Sequence, residues 1–584
     1  MSAPTRPPIA EDTELDSARI EDELALALKD PLSLDDRDDL DVFVPSIPAP
    51  TFFQLARHLH SEGRLDLLFP HATADQLTAT LDLGAWDGDQ LDVIKVREWC
   101  TAIVTTYEAA PRGALARLVT AMDPELWTYA VLPGTAIHEL DPDDEDARDL
   151  AFQDLPGLFT YETPDGVFAL SMPDDPFGRA AARIVDAIYH DDLALGRELI
   201  VATRAALASA VEEDLLRWRS GRLADLGFVP WEEAMKLLRP LPREQALARR
   251  GVAPPASAPA ASPPPATIPK SARLLHAVFS RLDPAEQGLR ARELALLANE
   301  LISAQRLPPG ELVAQERVLG QAHATLTLAL ELLAPACPEG HDREAFLAER
   351  LIALGLRDLF RVGYGALDKV RAAALALHRG GRVSLAAVGS LLDRPWGPAL
   401  AALCQRLPAL ALEGNSAGTR PIAGLADLAR ATARVGEAGA LAALAFDPRG
   451  FALDPAWINR VDDPSGLALG DLIRTALIHS RLPGGRGPLA PLIADDLLWA
   501  RQSLLEAGQL RPELAAELRE RCAAIGAPEH APVLGDILLP RLAVELAGLE
   551  LDQEGRPDLR RVSALLTVQR VAVWLRTGLD RADP

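Results

Sequence analysis

The chain has 584 residues, 48% of them apolar and 24% charged, and its 59 Lys+Arg against 84 Asp+Glu leave a net charge of −25. That length holds about three domains' worth of core. The charge excludes a broad basic face of the kind that grips nucleic acid or an anionic membrane.

The acid is concentrated in two places. Residues 1–50 carry 13 acids and 4 bases, and residues 138–176 carry 12 acids and only Arg148 as a base. Neighbouring carboxylates repel, so both blocks are expected to be solvated, or to serve as an electrostatic handle for a basic partner. Segment 1–45 reads as acidic and partly disordered, with one short amphipathic piece (Ile20, Leu24, Leu28) able to dock as a helix. Its first residues lack an apolar core and do not read as a signal peptide.

From 46 to 245 the pattern is that of a helical domain. Val96/Cys100/Ile103/Tyr107, Leu115/Leu118/Val119/Met122 and Ala181/Ile184/Val185/Ile188 keep the 3–4 residue spacing of one buried helix face. Asp123-Pro124-Glu125 marks a helix start: a capping carboxylate, a proline suited to the first turn, and an acid at the positive dipole end. Trp86-Asp87-Gly88-Asp89 reads as a turn between helices. Within the acidic region 139–172, Leu158–Thr163 and Val167–Met172 flank Pro164-Asp165-Gly166 and predict a β-hairpin with Phe159 and Tyr161 alternating against Phe168, Leu170 and Met172.

A Pro/Ala-rich linker is expected over 246–270. Seven prolines in residues 251–270 deny backbone donors to helix or sheet and favour an extended spacer. Beyond it, 271–584 is again helical, with stripes at Leu274/Leu275/Val278/Phe279/Leu282, Leu319/Ala322/Leu326/Leu330/Leu333, Leu400/Leu403/Cys404/Leu407 and Leu518/Cys522/Ile525. The fold class expected is mainly α: two irregular multi-helix halves joined by the linker, with one small β-hairpin near 158–172. Four cysteines, at 100, 337, 404 and 522, are widely spaced, and three lie on apolar stripes. They predict reduced thiols and a cytoplasmic address.

Linear signatures of catalysis are scarce. The chain has five lysines, and none follows a glycine, so there is no phosphate-binding Gly-Lys-Ser/Thr loop. There is no Cys-x-x-Cys and no His-Glu-x-x-His. Gly414-Asn415-Ser416-Ala417-Gly418 fits the Gly-x-Ser-x-Gly elbow of serine hydrolases, with His479 and His530 later in the chain, yet Pro421 opposes a helix starting at the serine. Asp87, Asp89 and Asp92 lack the spacing of a calcium loop. Arg217, Arg219 and Arg222 could grip an anion, but Glu212, Glu213, Asp214 and Asp225 are at hand to pair with them, and pairing is the favoured reading. His323 reads as a core imidazole, and His58 and His60 point to different helix faces. No catalytic, cofactor-binding or metal-ligating residue is assigned on this evidence.

Several motifs together carry a resemblance. These are Leu81-Asp82-Leu83, Trp86-Asp87-Gly88-Asp89, Leu91-Asp92, Arg97-Glu98-Trp99, Glu212-Glu213 through Arg217, Arg219 and Arg222, then Leu297-Ala298-Asn299 and Leu359-Phe360-Arg361-Val362-Gly363. The chain resembles a family of bacterial proteins of unknown function over most of its length, which implies no chemistry. The function expected is a non-enzymatic interaction scaffold or adaptor with a protein partner, no nucleic acid, no membrane and no cofactor. Two alternatives stand: an enzyme with a helical pocket, in concrete form a hydrolase at Ser416, and a divalent-cation regulator using carboxylates of 87–92 and 139–149.

Overall fold

The computed structural model describes residues 23–24, 26–107, 113–131, 134–141, 152–153, 155–206, 208–251, 268–379, 392–412, 418–458, 468–484, 486–552 and 555–570. These residues are mainly helical, with small antiparallel strand pairs. They form two compact units. The expected linker falls largely on 252–267, outside the described residues. On either side of it the chain changes unit: 238–251 belong to the second unit and 288–319 to the first.

In the first unit, short helical stretches at Pro31–Asp36 and Leu40–Ser46 lead into α1 (Ala49–Ser61) and α2 (Ala74–Gly84). Thr73 caps α2 by accepting from the Gln76 amide, while the Gln76 side chain accepts from the Thr73 amide. Two-residue strands β1 (Trp86–Asp87) and β2 (Gln90–Leu91) then pair around Gly88, whose φ of +62° suits glycine. This confirms the expected turn between helices.

Next come α3 (Val93–Tyr107), α4 (Ala114–Ala121) and α5 (Pro124–Val131). The stripe Val96/Cys100/Ile103/Tyr107 is buried on α3, as its spacing predicts. Trp99 also faces inward, 5.9 Å from the Phe53 ring and 6.3 Å from the Phe69 ring.

The expected hairpin is present as β4 (Leu158–Glu162) and β5 (Phe168–Pro173), with Phe159 opposite Met172 and Tyr161 opposite Leu170. It is the larger part of a three-stranded sheet. Strand β3 (Ala136–Glu139) pairs with β5 on its other side, in the order β3-β5-β4. A four-residue strand ending in acid carries too little alternation to announce itself. The sheet packs on α6 (Pro176–Asp191) and α7 (Leu193–Ala205) through Leu170, Met172, Phe177, Ala181, Val185 and Ile200. That contact supports a β-element too small to stand alone. The acidic run 142–150 lies outside the described residues.

Helix α8 (Ala208–Asp225), α9 (Pro284–Gln305) from Gly288 onward and α10 (Leu312–Leu333) up to Leu319 complete this unit. Asn299 on α9 donates through Nδ2 to the Leu226 carbonyl just past the end of α8, at 3.0 Å.

The second unit is built on α10 from Gly320, α11 (Arg343–Arg379, two helical stretches joined by a break at Gly355, φ +69°), and α12 (Leu425–Phe446), α13 (Leu469–Arg481), α14 (Ala494–Leu504), α15 (Pro512–Ala524) and α16 (Ala531–Ala547). Its core includes Trp396, Leu441, Leu472, Leu497, Leu534 and Leu565. Gly363 allows α11 to touch α10, because a Cβ there would lie 2.2 Å from the Thr325 carbonyl oxygen. This is what the glycine of the Leu359–Gly363 motif does. Leu505–Glu506 and Gln509–Leu510 repeat, between α14 and α15, the helix–hairpin–helix construction seen at Trp86–Leu91.

Candidate functional site

The motif residues of the first unit converge, although they are far apart in sequence. Arg222 on α8 donates to both oxygens of Asp82 on α2, at 2.6 and 2.9 Å, and also pairs with Asp123 at the start of α5. The Asp82 side chain is 3% exposed, so burial pushes its carboxyl up while Arg222 opposes the shift.

Arg219, one turn earlier, is 6% exposed. Its Nε donates to the Asp82 carbonyl at 2.8 Å, its Nη1 to the Gly88 carbonyl at 3.2 Å, and its guanidinium lies 4.7 Å from the Trp86 ring centre. Glu212 receives the Leu91 amide at 2.9 Å. Of the expected local pairings, Arg217 with Asp214 is present at 3.0 Å. Arg222 instead takes partners from other helices, which one-dimensional proximity does not reveal.

Two recesses flank this centre. The first is an open groove of about 770 Å³. Its floor is one face of α3, where Ile94, Arg97, Glu98, Thr101 and Thr105 recur every three or four residues. His60 in its lining lies tilted against Trp99, ring centres 5.2 Å apart, and Phe177, also in the lining, carries the Arg97 guanidinium at 4.5 Å. Ile94 is 68% exposed. Arg97-Glu98-Trp99 thus divides its work: the tryptophan enters the core while the two charged residues face the groove.

The second recess is a half-enclosed cleft of about 510 Å³ between the Trp86–Gln90 turn, α8 and the end of α9. Arg219 and Arg306 both line it, and the Arg306 guanidinium lies 4.6 Å from the ring centre of Trp231, another lining residue. Neither Arg306 nor Trp231 belongs to a motif singled out in the sequence. The φ of +54° at Arg306 places a bulky residue where helices usually end in glycine.

The other candidates fare differently. Ser416 lies outside the described residues. The chain around it forms an antiparallel pair, β6 (Ala409–Ala411) with β7 (Thr419–Pro421), whereas a nucleophile elbow runs from a strand into a helix. His479 bonds the Ala490 carbonyl at 2.7 Å, and His530 sits against Gly436. His323 is buried, 8% exposed, with Nε2 lacking a hydrogen-bond partner among the described residues.

In the second unit, fully buried Arg474 bonds Asp471 at 2.5 Å and the Ala564 carbonyl at 3.1 Å, and Arg570 takes the other Asp471 oxygen at 2.9 Å. Asp393 there accepts the Gly470 amide at 2.7 Å. This is a closed polar core. Among the described residues no three His, Cys, Asp or Glu side chains gather as a metal site would need, and no helix is long and apolar enough to cross a membrane.

Residues 33–568 match the family of unknown function DUF6178. The chain belongs to this family. The match spans both units and includes every motif named above. No curated protein and no solved structure matches the chain.

Proposed function

We propose that the chain is a non-enzymatic interaction scaffold that takes a protein partner along the groove over α3. The observation that carries this reading is the groove's build: an open trough floored by one helix face, with exposed Ile94 between charged Arg97 and Glu98. An apolar anchor ringed by polar groups suits a docking segment better than an enclosed reaction chamber. The charged motif residues Asp82 and Arg222 are engaged with each other, and Arg222 with Asp123 as well, which fits a structural task.

The acidic segments 1–50 and 138–176 supply long-range attraction for a partner with a basic face. The test is purification of the tagged full-length chain from its organism of origin at low and high salt, with co-eluting proteins identified by mass spectrometry. One partner in fixed ratio, weakened by salt and able to retrieve the chain when it carries the tag in turn, is the expected result. A chain that elutes alone at every salt concentration contradicts the proposal.

A further inference from the structure

The cleft at the Trp86–Gln90 turn has a chemistry that the groove lacks. Arg219 is a desolvated cation whose hydrogen-bonded partners are two neutral carbonyls, and Nη2 has no partner among the described residues. Burial pulls its pKa down to about 10, so it remains charged at neutral pH. No carboxylate forms an ion pair with it among the described residues, although Asp82 and, less strongly, Asp89 act on it through space.

A buried guanidinium without a bound carboxylate has an unmet demand for an anion. The same cleft has a second cation in its lining, Arg306, whose guanidinium lies 4.6 Å from the ring centre of Trp231. Arg306 sits at the αL position of a Schellman ending: its amide bonds the Ser303 carbonyl at 3.1 Å, and the Leu307 amide bonds the Ile302 carbonyl at 3.0 Å. Glycine would fill that position without strain. The arginine places its guanidinium over Trp231, at the cleft wall.

Two arginines backed by two indoles therefore face one cleft of a size suited to a small molecule. Exposed Asp87 and Asp89 stand at the same cleft, so its four charged side chains sum to zero. That balance admits a single negative charge and opposes a polyanion.

We infer that this cleft is a binding site for a small organic monoanion, a carboxylate on a flat apolar body, with the carboxylate held between Arg219 and Arg306 and the body against Trp231 and Phe228. The site stands independently of the groove and of any protein partner.

Calorimetric titration of the full-length chain with 1-naphthoate, with its neutral amide 1-naphthamide and with AMP tests it. Binding of 1-naphthoate at one site, about tenfold or more tighter than the amide, is expected from a charge-assisted hydrogen bond. AMP, a dianion, is expected to bind more weakly than 1-naphthoate. Arg306→Gly is expected to weaken 1-naphthoate by about tenfold on the same basis, while the thermal midpoint is unchanged or raised, since the strained backbone is relieved. Absence of 1-naphthoate binding, equal binding of the amide, AMP binding as tightly, or an Arg306→Gly chain that binds unchanged would each overturn the inference.

Discussion

Arg222 grips Asp82 through two nitrogens at once, Nε at 2.6 Å and Nη2 at 2.9 Å, joining helices whose residues stand 140 positions apart. This pair ties α8 to α2 and sets the position of Arg219 beside the Trp86 turn. Asp82→Ala leaves Arg222 with only Asp123 and strips the charge opposite Arg219. A loss of about 3 kcal/mol is expected for removing one member of a buried pair. Urea unfolding followed by tryptophan fluorescence checks it, and an unchanged midpoint would mean the pair is dispensable.

Glycine 363 is a packing requirement. Gly363→Ala brings Cβ within 2.2 Å of the Thr325 carbonyl, a backbone atom that cannot swing aside. Overpacking of this kind costs about 2 kcal/mol. Gly320 on α10 meets nothing within 4 Å, so Gly320→Ala is expected to stabilise the chain by up to about 1 kcal/mol through helix propensity. Thermal denaturation of the two variants should move the midpoint in opposite directions.

His323 imposes a pH dependence. Burial lowers its pKa, so the folded state keeps the ring neutral where the unfolded chain takes up a proton. Stability is therefore complete above the unfolded value of about 6.5 and falls as pH drops below it, until the folded ring titrates too. In His323→Leu this component of the loss is expected to disappear. Denaturation midpoints between neutral and mildly acid pH compare the two chains, and equal slopes would count against the burial argument.

The cysteines should separate by environment. Burial pushes the Cys100 thiol up to about 12, leaving almost no thiolate at mildly alkaline pH. Cys100 and Cys522 are buried whereas Cys337 is partly exposed. Labelling of the native chain with a thiol-specific disulfide reagent is expected to modify Cys337 and spare Cys100 until urea is added. Rapid native labelling of Cys100 would show that α3 opens readily.

Much of the fold was legible because it rests on local rules. The α3 stripe and the 158–172 hairpin follow from side-chain period, and the Trp86 turn from Gly88 and its aspartates. Strand β3 escaped because four residues carry little alternation, and its strand identity depends on β5. The exchange of segments between units on the two sides of the Pro-rich sequence 251–270 depends on tertiary contacts such as Asn299 to Leu226, which no window of sequence contains.

The site followed the same division. Trp86, Arg97, Arg219 and Arg222 stood out as motif residues and Asp123 as a helix cap, yet the pairing of Asp123 with Arg222, and the presence of Trp231 and Arg306 at the cleft of Trp86 and Arg219, became visible only on folding. A left-handed arginine has no sequence signature, because the usual marker of that backbone position is glycine.

The most direct test of the interaction reading compares partner capture by the native chain and by Thr105→Arg. Thr105 is an exposed residue of the α3 groove, so an arginine there fills the trough without touching the core. An unchanged unfolding midpoint and loss of the partner that the native chain retains at low salt are the expected results. A Thr105→Arg chain that is equally stable and captures the same partner undiminished would contradict the groove as the place where this protein meets its partner.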